Sequence, residues 1–187
     1  MAGVADRRNK TVRDMVISMV VLAAAALIFA WLYGGTSFAP GGPVSDASAP
    51  TADVVGGFER ADRMVPFSPV TPRDIPADWH ANSFAVTDPT TMQAGDLPTV
   101  QGGWLTPGGG FVTLVQSQGS LNQVLQAQVA NADRATGTVR AGGATWSVGP
   151  GRRDETVWYR ESNGVVYLIT GSADAAAFTT VAESIEG

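Results

Sequence analysis

The feature that most constrains this chain is a run of nineteen residues, Met15 to Tyr33, in which Ser18 is the sole polar side chain. At about 1.5 Å per residue, a helix of that length spans roughly the hydrocarbon core of a bilayer. Thr11-Val12-Arg13-Asp14 stands just before the run as a capping-box variant: Thr11 can accept from an early helical N–H while Asp14 reaches back. Arg7, Arg8, Lys10 and Arg13 all precede the run, and no Lys or Arg follows it until Arg60. The positive-inside rule therefore predicts a cytoplasmic basic tail over 1–14, a transmembrane helix over 15–33 and an extracytoplasmic remainder. Trp31 and Tyr33 suit the outer interfacial belt. A cleaved signal peptide is the competing reading, because Ser37-Phe38-Ala39 loosely resembles a cleavage site. The apolar run exceeds a signal h-region, however, and Pro40 would follow the cut. The expectation is a single-pass cell-membrane protein held in the lipid bilayer through residues 15–33.

Beyond the run, from Gly34 onward, eight basic residues face fifteen acidic ones, a net charge of −7. That balance argues against nucleic acid or anionic lipid as the partner of the exported part. Residues 34–65 are rich in Gly, Pro, Ser, Thr, Ala and Asp without a period, and read as a flexible linker. Pro66, Pro69, Pro72 and Pro76 then recur at a spacing that suits an extended, polyproline-like lead-in laid along a domain surface. Residues 66–187 leave room for one domain.

Within that domain, Phe84–Val86, Thr99–Leu105 and Phe111–Gln116 read as strands, the last two joined across the turn residues Thr106 to Gly110. Ser120 can cap a helix to about Asp133 with Leu121, Leu125, Val129 and Ala132 on one face. Thr138–Arg140, Ala144–Val148, Thr156–Ser162 and Val165–Thr170 are further strands, and Asn163-Gly164 marks a tight hairpin between the last pair. A closing helix from about Ala173, capped by Ser172, places Phe178, Val181, Ala182 and Ile185 on one stripe. Hairpin-linked strands with a helix in the middle and one at the end imply an α+β fold, an antiparallel sheet with two helices packed on one face.

The chain contains no cysteine, which removes disulfides, thiolate nucleophiles, thiolate metal sites and a lipidated cysteine together. Lys10, on the cytoplasmic side, is the one lysine, so the outer domain has no lysine for Schiff-base, serine–lysine or phosphate-loop chemistry. His80 is the one histidine, following Trp79 at the domain entry, and reads as a surface or packing residue. Asp74, Asp78, Asp88, Asp96, Asp154 and Glu155 could in principle supply a carboxylate pair for glycoside hydrolysis, but their spacing singles out none. No metal or cofactor is expected. Trp79, Trp104, Trp146 and Trp158 could pack a core or line a groove. Trp158 points away from Val157 and Tyr159 on its strand, which makes it the candidate ligand-contacting aromatic.

Arg13-Asp14-Met15 with Ser18, Trp79 after the prolines, Gly143-Ala144-Thr145-Trp146, and Gly164 through Gly171 before the last helix together resemble the actinobacterial membrane proteins catalogued as domain of unknown function 4245. The resemblance covers nearly the whole chain except the linker. It implies a single-pass envelope protein with an extracytoplasmic domain, and it carries no catalytic or binding residues. The leading expectation is a non-enzymatic module that binds an envelope ligand or a membrane-protein partner. A carboxylate-based cell-wall hydrolase and a structural accessory subunit working through its membrane helix are the alternatives.

Overall fold

The computed structural model describes residues 51–88, 90–129, 135–152 and 155–185, together with Met19. The proposed span at 15–33, Met19 apart, and the linker up to residue 50 lie outside the described residues. Among the described residues, no helix is long and apolar enough to cross a membrane. The chain divides after Ser45, and the unit from Asp46 to Gly187 holds all the elements that follow.

Seven strands form one antiparallel sheet: β1 (His80–Val86), β2 (Thr99–Leu105), β3 (Phe111–Gln118), β4 (Gly137–Ala141), β5 (Ala144–Pro150), β6 (Thr156–Ser162) and β7 (Val165–Gly171). Their order across the sheet is β1-β2-β3-β7-β6-β5-β4. Two hairpin meanders, β1–β3 and β4–β7, thus meet at the β3–β7 ladder, which pairs Val112 with Gly171 through to Gln118 with Val165. Asn163 and Gly164 both adopt left-handed backbone, φ 52° and 75°, as a two-residue primed hairpin turn requires.

Three helices flank the sheet: α1 (Val54–Ala61), α2 (Leu121–Gln128) and α3 (Ala175–Ser184). Expected were two helices on one face; among the described residues three pack on the sheet, and they lie on both faces. Successive strand residues point to opposite faces, and the buried side chains separate accordingly. One face joins Val112, Leu114, Ile169, Trp158 and Trp146 to Phe58 of α1 and to Phe178, Val181 and Ala182 of α3. The other joins Val115, Leu168 and Val157 to Leu125 and Val129 at α2. The connection from β3 to β4 carries α2 across the sheet and so reaches the face the other helices leave open.

Helix α1 lies within the stretch read as linker, so the domain starts before Val54 and not at residue 66. Asp53 caps it, accepting from Gly56 N–H at 3.0 Å and from Arg60 Nη1 at 2.9 Å. Val54, Phe58, Ala61 and Val65 fall at i, i+4, i+7 and i+11, and all are buried. The glycines that suggested flexibility serve close packing instead. A Cβ on Gly102 of β2 would meet Val54 Cγ1 at 2.5 Å, and one on Gly57 would meet the Phe84 ring at 2.7 Å. The bare backbones let α1 settle onto β1 and β2, with Phe58 edge-on to Phe84 at 5.6 Å.

The boundaries of the other helices also shift. Helix α2 has the expected Ser120 cap, as a full capping box with Gln123, but it stops at Gln128 because Val129 turns to extended backbone. Helix α3 is capped by Asp174, which accepts from Ala177 N–H at 2.9 Å, while Ser172 Oγ accepts from Phe111 N–H instead.

The proline lead-in lies along the face shared by α1 and α3. Gln116 is fully buried, and its amide bonds both ways to Val70: it accepts from Val70 N–H at 2.7 Å and donates to Val70 O at 2.6 Å. Arg73 N–H donates to Ser184 O at 2.9 Å, tying the lead-in to the end of α3. A segment with no ladder of its own is thus held by one side chain that imitates a strand partner.

Gln116→Ala removes both bonds and strands two backbone groups, so it is expected to lower unfolding free energy by about 2–3 kcal/mol, measured by urea denaturation. The bonds from Arg60 and Gly56 also hold the Asp53 carboxyl below its ordinary pKa. A carboxyl whose pKa is lower folded than unfolded stabilises the fold above the unfolded value, and that contribution is lost as pH falls through the folded one. Wild type and Asp53→Asn should therefore differ most in denaturation midpoint near neutral pH, and the difference should shrink as pH falls below the ordinary carboxyl value of about 3.9 and through the lowered folded one.

Candidate functional site

Three of the four tryptophans of the domain are buried in the core, and the fourth, Trp79, is half-buried and packs against its edge. Trp104, Trp146 and Trp158 are 3%, 0% and 5% exposed. Trp146 donates its indole N–H to Ala141 O at 3.2 Å, which satisfies it internally. Trp158 pairs across the ladders with Ile169 and Val148 and stands edge-on to Phe178 at 5.4 Å. It does point away from Val157 and Tyr159, but the face it points to is the one roofed by α1 and α3. Its candidacy as a ligand contact is therefore corrected: Trp158 is a core residue. Arg160 shares that face, its guanidinium carbon 5.0 Å from the Trp146 ring centre and 4.9 Å from that of Tyr167.

Trp79 is the tryptophan left half-buried. It lines a cavity of about 310 Å³ together with Ala77, Asp78, His80, Leu105, Thr106 and Pro107. The wall segments are fixed by local bonds. Trp79 N–H donates to Pro76 O at 3.0 Å, at the end of the lead-in. His80 opens β1 opposite Leu105, and a bulge between Ala81 and Ser83 bends the strand just beyond. The β2–β3 hairpin is closed by Thr106 N–H to Gly110 O at 2.8 Å and by the Thr106 hydroxyl to the same oxygen at 3.1 Å. The Nε2 atom of His80 is buried and meets no hydrogen-bond partner among the described residues. An unmet polar atom of this kind costs roughly 1–3 kcal/mol. Neither Lys nor Arg is among the lining residues.

The remaining sequence candidates are dispersed. Asp74, whose backbone is left-handed at φ 58°, shares a cavity of about 480 Å³ with Glu183 and Arg73, between the lead-in and the end of α3. Both carboxylates are exposed on its rim, whereas a general acid needs a carboxyl withdrawn from water. Asp96 borders a third cavity, of about 320 Å³, against β1, β2 and α2, and accepts from Gln93 N–H. Asp88 caps its own turn, and bonds from the Thr90 hydroxyl and N–H lower its pKa. Glu155 N–H closes a loop onto Arg152 O, and Asp154 lies outside the described residues. Among the described residues, no three His, Asp or Glu side chains gather as a metal site.

Trp79 and His80 become a pair of interest only in three dimensions. In the sequence they follow prolines and precede an irregular strand start, with no periodicity to orient them. The available signal was the adjacency of an aromatic, a carboxylate and an imidazole in Asp78-Trp79-His80.

The model of the family described as "Protein of unknown function (DUF4245)" matches residues 7–185, and the chain belongs to that family. No curated protein and no solved structure matches it.

The two tryptophan environments predict opposite outcomes. Trp158→Ala should destabilise the domain by about 3–5 kcal/mol, whereas Trp79→Ala should change the urea midpoint far less and leave the near-ultraviolet dichroism of the core in place.

Proposed function

We propose that this member of the DUF4245 family is a single-pass membrane protein whose extracytoplasmic domain binds an envelope ligand or a membrane-protein partner without transforming it. The observation that carries the reading is the cavity at Asp78-Trp79-His80. It joins a half-buried indole, the Asp78 and Thr106 side chains and the His80 ring, whose Nε2 is buried and unpartnered, between backbone segments already braced in the free domain. Pockets of that kind, apolar with a few convergent polar groups, are where ligands bind.

The apolar run at 15–33 and the basic residues before it support the anchor and its orientation. The hydrolase alternative needs a facing pair among Asp74, Asp78, Asp88, Asp96, Asp154 and Glu155; Asp74 shares its cavity with Glu183, and the exposure of both beside Arg73 favours binding over acid catalysis. The accessory-subunit alternative needs the membrane helix to carry the contacts, and the preformed cavity favours the domain.

The absence of native cysteine makes topology directly readable. In intact cells a membrane-impermeant maleimide should label Ser37→Cys and spare Asn9→Cys until the membrane is opened. The reverse pattern, or equal labelling, overturns the orientation. A photo-crosslinking residue in place of Ala77, which lines the cavity without a polar group, should give an adduct that one in place of Thr138, on the far edge strand, does not. Uncoupled protein alone from both positions would argue against a binding module.

A further inference from the structure

The chemistry of the Trp79 cavity narrows what it takes, and the narrowing rests on the binding reading above. An anion is disfavoured: Asp78 stands at the rim, Lys and Arg are absent from the lining residues, and the chain from Gly34 onward carries −7. A wholly apolar ligand would cover the Asp78 carboxylate, the Thr106 hydroxyl and the His80 imidazole without bonding them, at a desolvation cost for each. Ammonium recognition favours a cage of several aromatic faces, and here one indole is joined by the aliphatic Leu105, Pro107 and Ala77.

A ring with apolar C–H faces and a hydroxylated edge meets every one of these groups. Its face covers the Trp79 indole and the Leu105–Pro107 wall. Its hydroxyls donate to the Asp78 carboxylate and to the lone pairs that Thr106 Oγ1 retains while its proton is given to Gly110 O. The imidazole adds a sharper criterion. A hydroxyl both donates and accepts, so it satisfies a ring nitrogen in either tautomer, which neither a carboxylate nor an ammonium does. The volume of about 310 Å³ lies at the small end for ligand sites, roughly 300–1,000 Å³, and has room for one pyranose-sized ring.

From this geometry we infer that the Asp78-Trp79-His80 cavity is a carbohydrate subsite, holding one uncharged sugar ring of an envelope glycan against Trp79 with a ring hydroxyl bonded to His80. This bond requires the imidazole, whose Nε2 is buried in the free domain, to turn about its Cβ–Cγ bond on binding.

His80 is the single histidine, so its ring nitrogens give one set of ¹⁵N signals in the full chain held in lipid nanodiscs. Titration with uncharged oligosaccharides, N-acetylglucosamine oligomers and neutral galactose- and mannose-based oligomers, should move those signals saturably and shift the tryptophan emission. Trp79→Ala should weaken binding by about tenfold or more with the near-ultraviolet dichroism of the core retained, and His80→Ala should weaken it and abolish the ¹⁵N readout. Saturation by choline or glycine betaine in place of the sugars would overturn the carbohydrate assignment, as would binding unchanged in Trp79→Ala. The Ala77 crosslink separates the two levels. An adduct that no oligosaccharide competes leaves the binding module standing and removes the sugar. Absence of both adduct and titration removes the module as well.

Discussion

The β3–β7 ladder is the contact on which the rest of the domain depends. It joins two meanders that are each locally connected but share no other strand pairing. Because β3 and β7 are separated in sequence by α2 and three strands, closing this ladder costs the most chain entropy of any pairing here. The return is burial on both faces at once. Leu114 and Ile169 meet α3 and α1 on one side, and Val115 and Leu168 meet α2 on the other, with every one of these side chains at most 1% exposed. Helix α1 rests on β1 and β2 of one meander, whereas the core residues that meet α3 and α2 come from both meanders and need the central pairing.

Gln116 shows how the same ladder organises what lies outside it. Its backbone is committed to β2 and β7, while its side-chain amide carries both a donor and an acceptor to Val70. A buried polar group at the middle of a sheet is costly unless fully satisfied, and this one is satisfied by the segment it holds down. Fixing Val70 fixes the path of the prolines that follow, and Trp79 and His80 come at the end of that path. The cavity at the edge of the sheet is thus tied to its centre through one amide and a stiff strap.

Local rules account for much of what the sequence disclosed. Asn163-Gly164 specified a primed turn because few other residue pairs accept left-handed backbone twice. Phe178, Val181, Ala182 and Ile185 specified the buried stripe of the last helix by period alone, and Ser120 specified a cap. Helix α1 escaped notice although its signals were present. Asp53 caps it, and Val54, Phe58, Ala61 and Val65 keep helical spacing, but Gly56-Gly57 within a Gly/Pro/Ser-rich surround reads as linker. Composition suggested a linker, and that reading was extended too far into the domain.

By itself the sequence determined the elements that depend on neighbours in the chain, together with the apolar run, the charge asymmetry and the family motifs. Only the tertiary structure decided which way the elements face. Alternation along β6 correctly set Trp158 opposite to Val157 and Tyr159, but a sheet covered on both faces has no single outside, so alternation could not say which side is solvent. The position of α2 behind the sheet, the glycine contacts that let α1 dock, and the choice of Trp79 over Trp158 as the accessible tryptophan all follow from pairings between residues distant in sequence. Those pairings are fixed by packing, which no local pattern encodes.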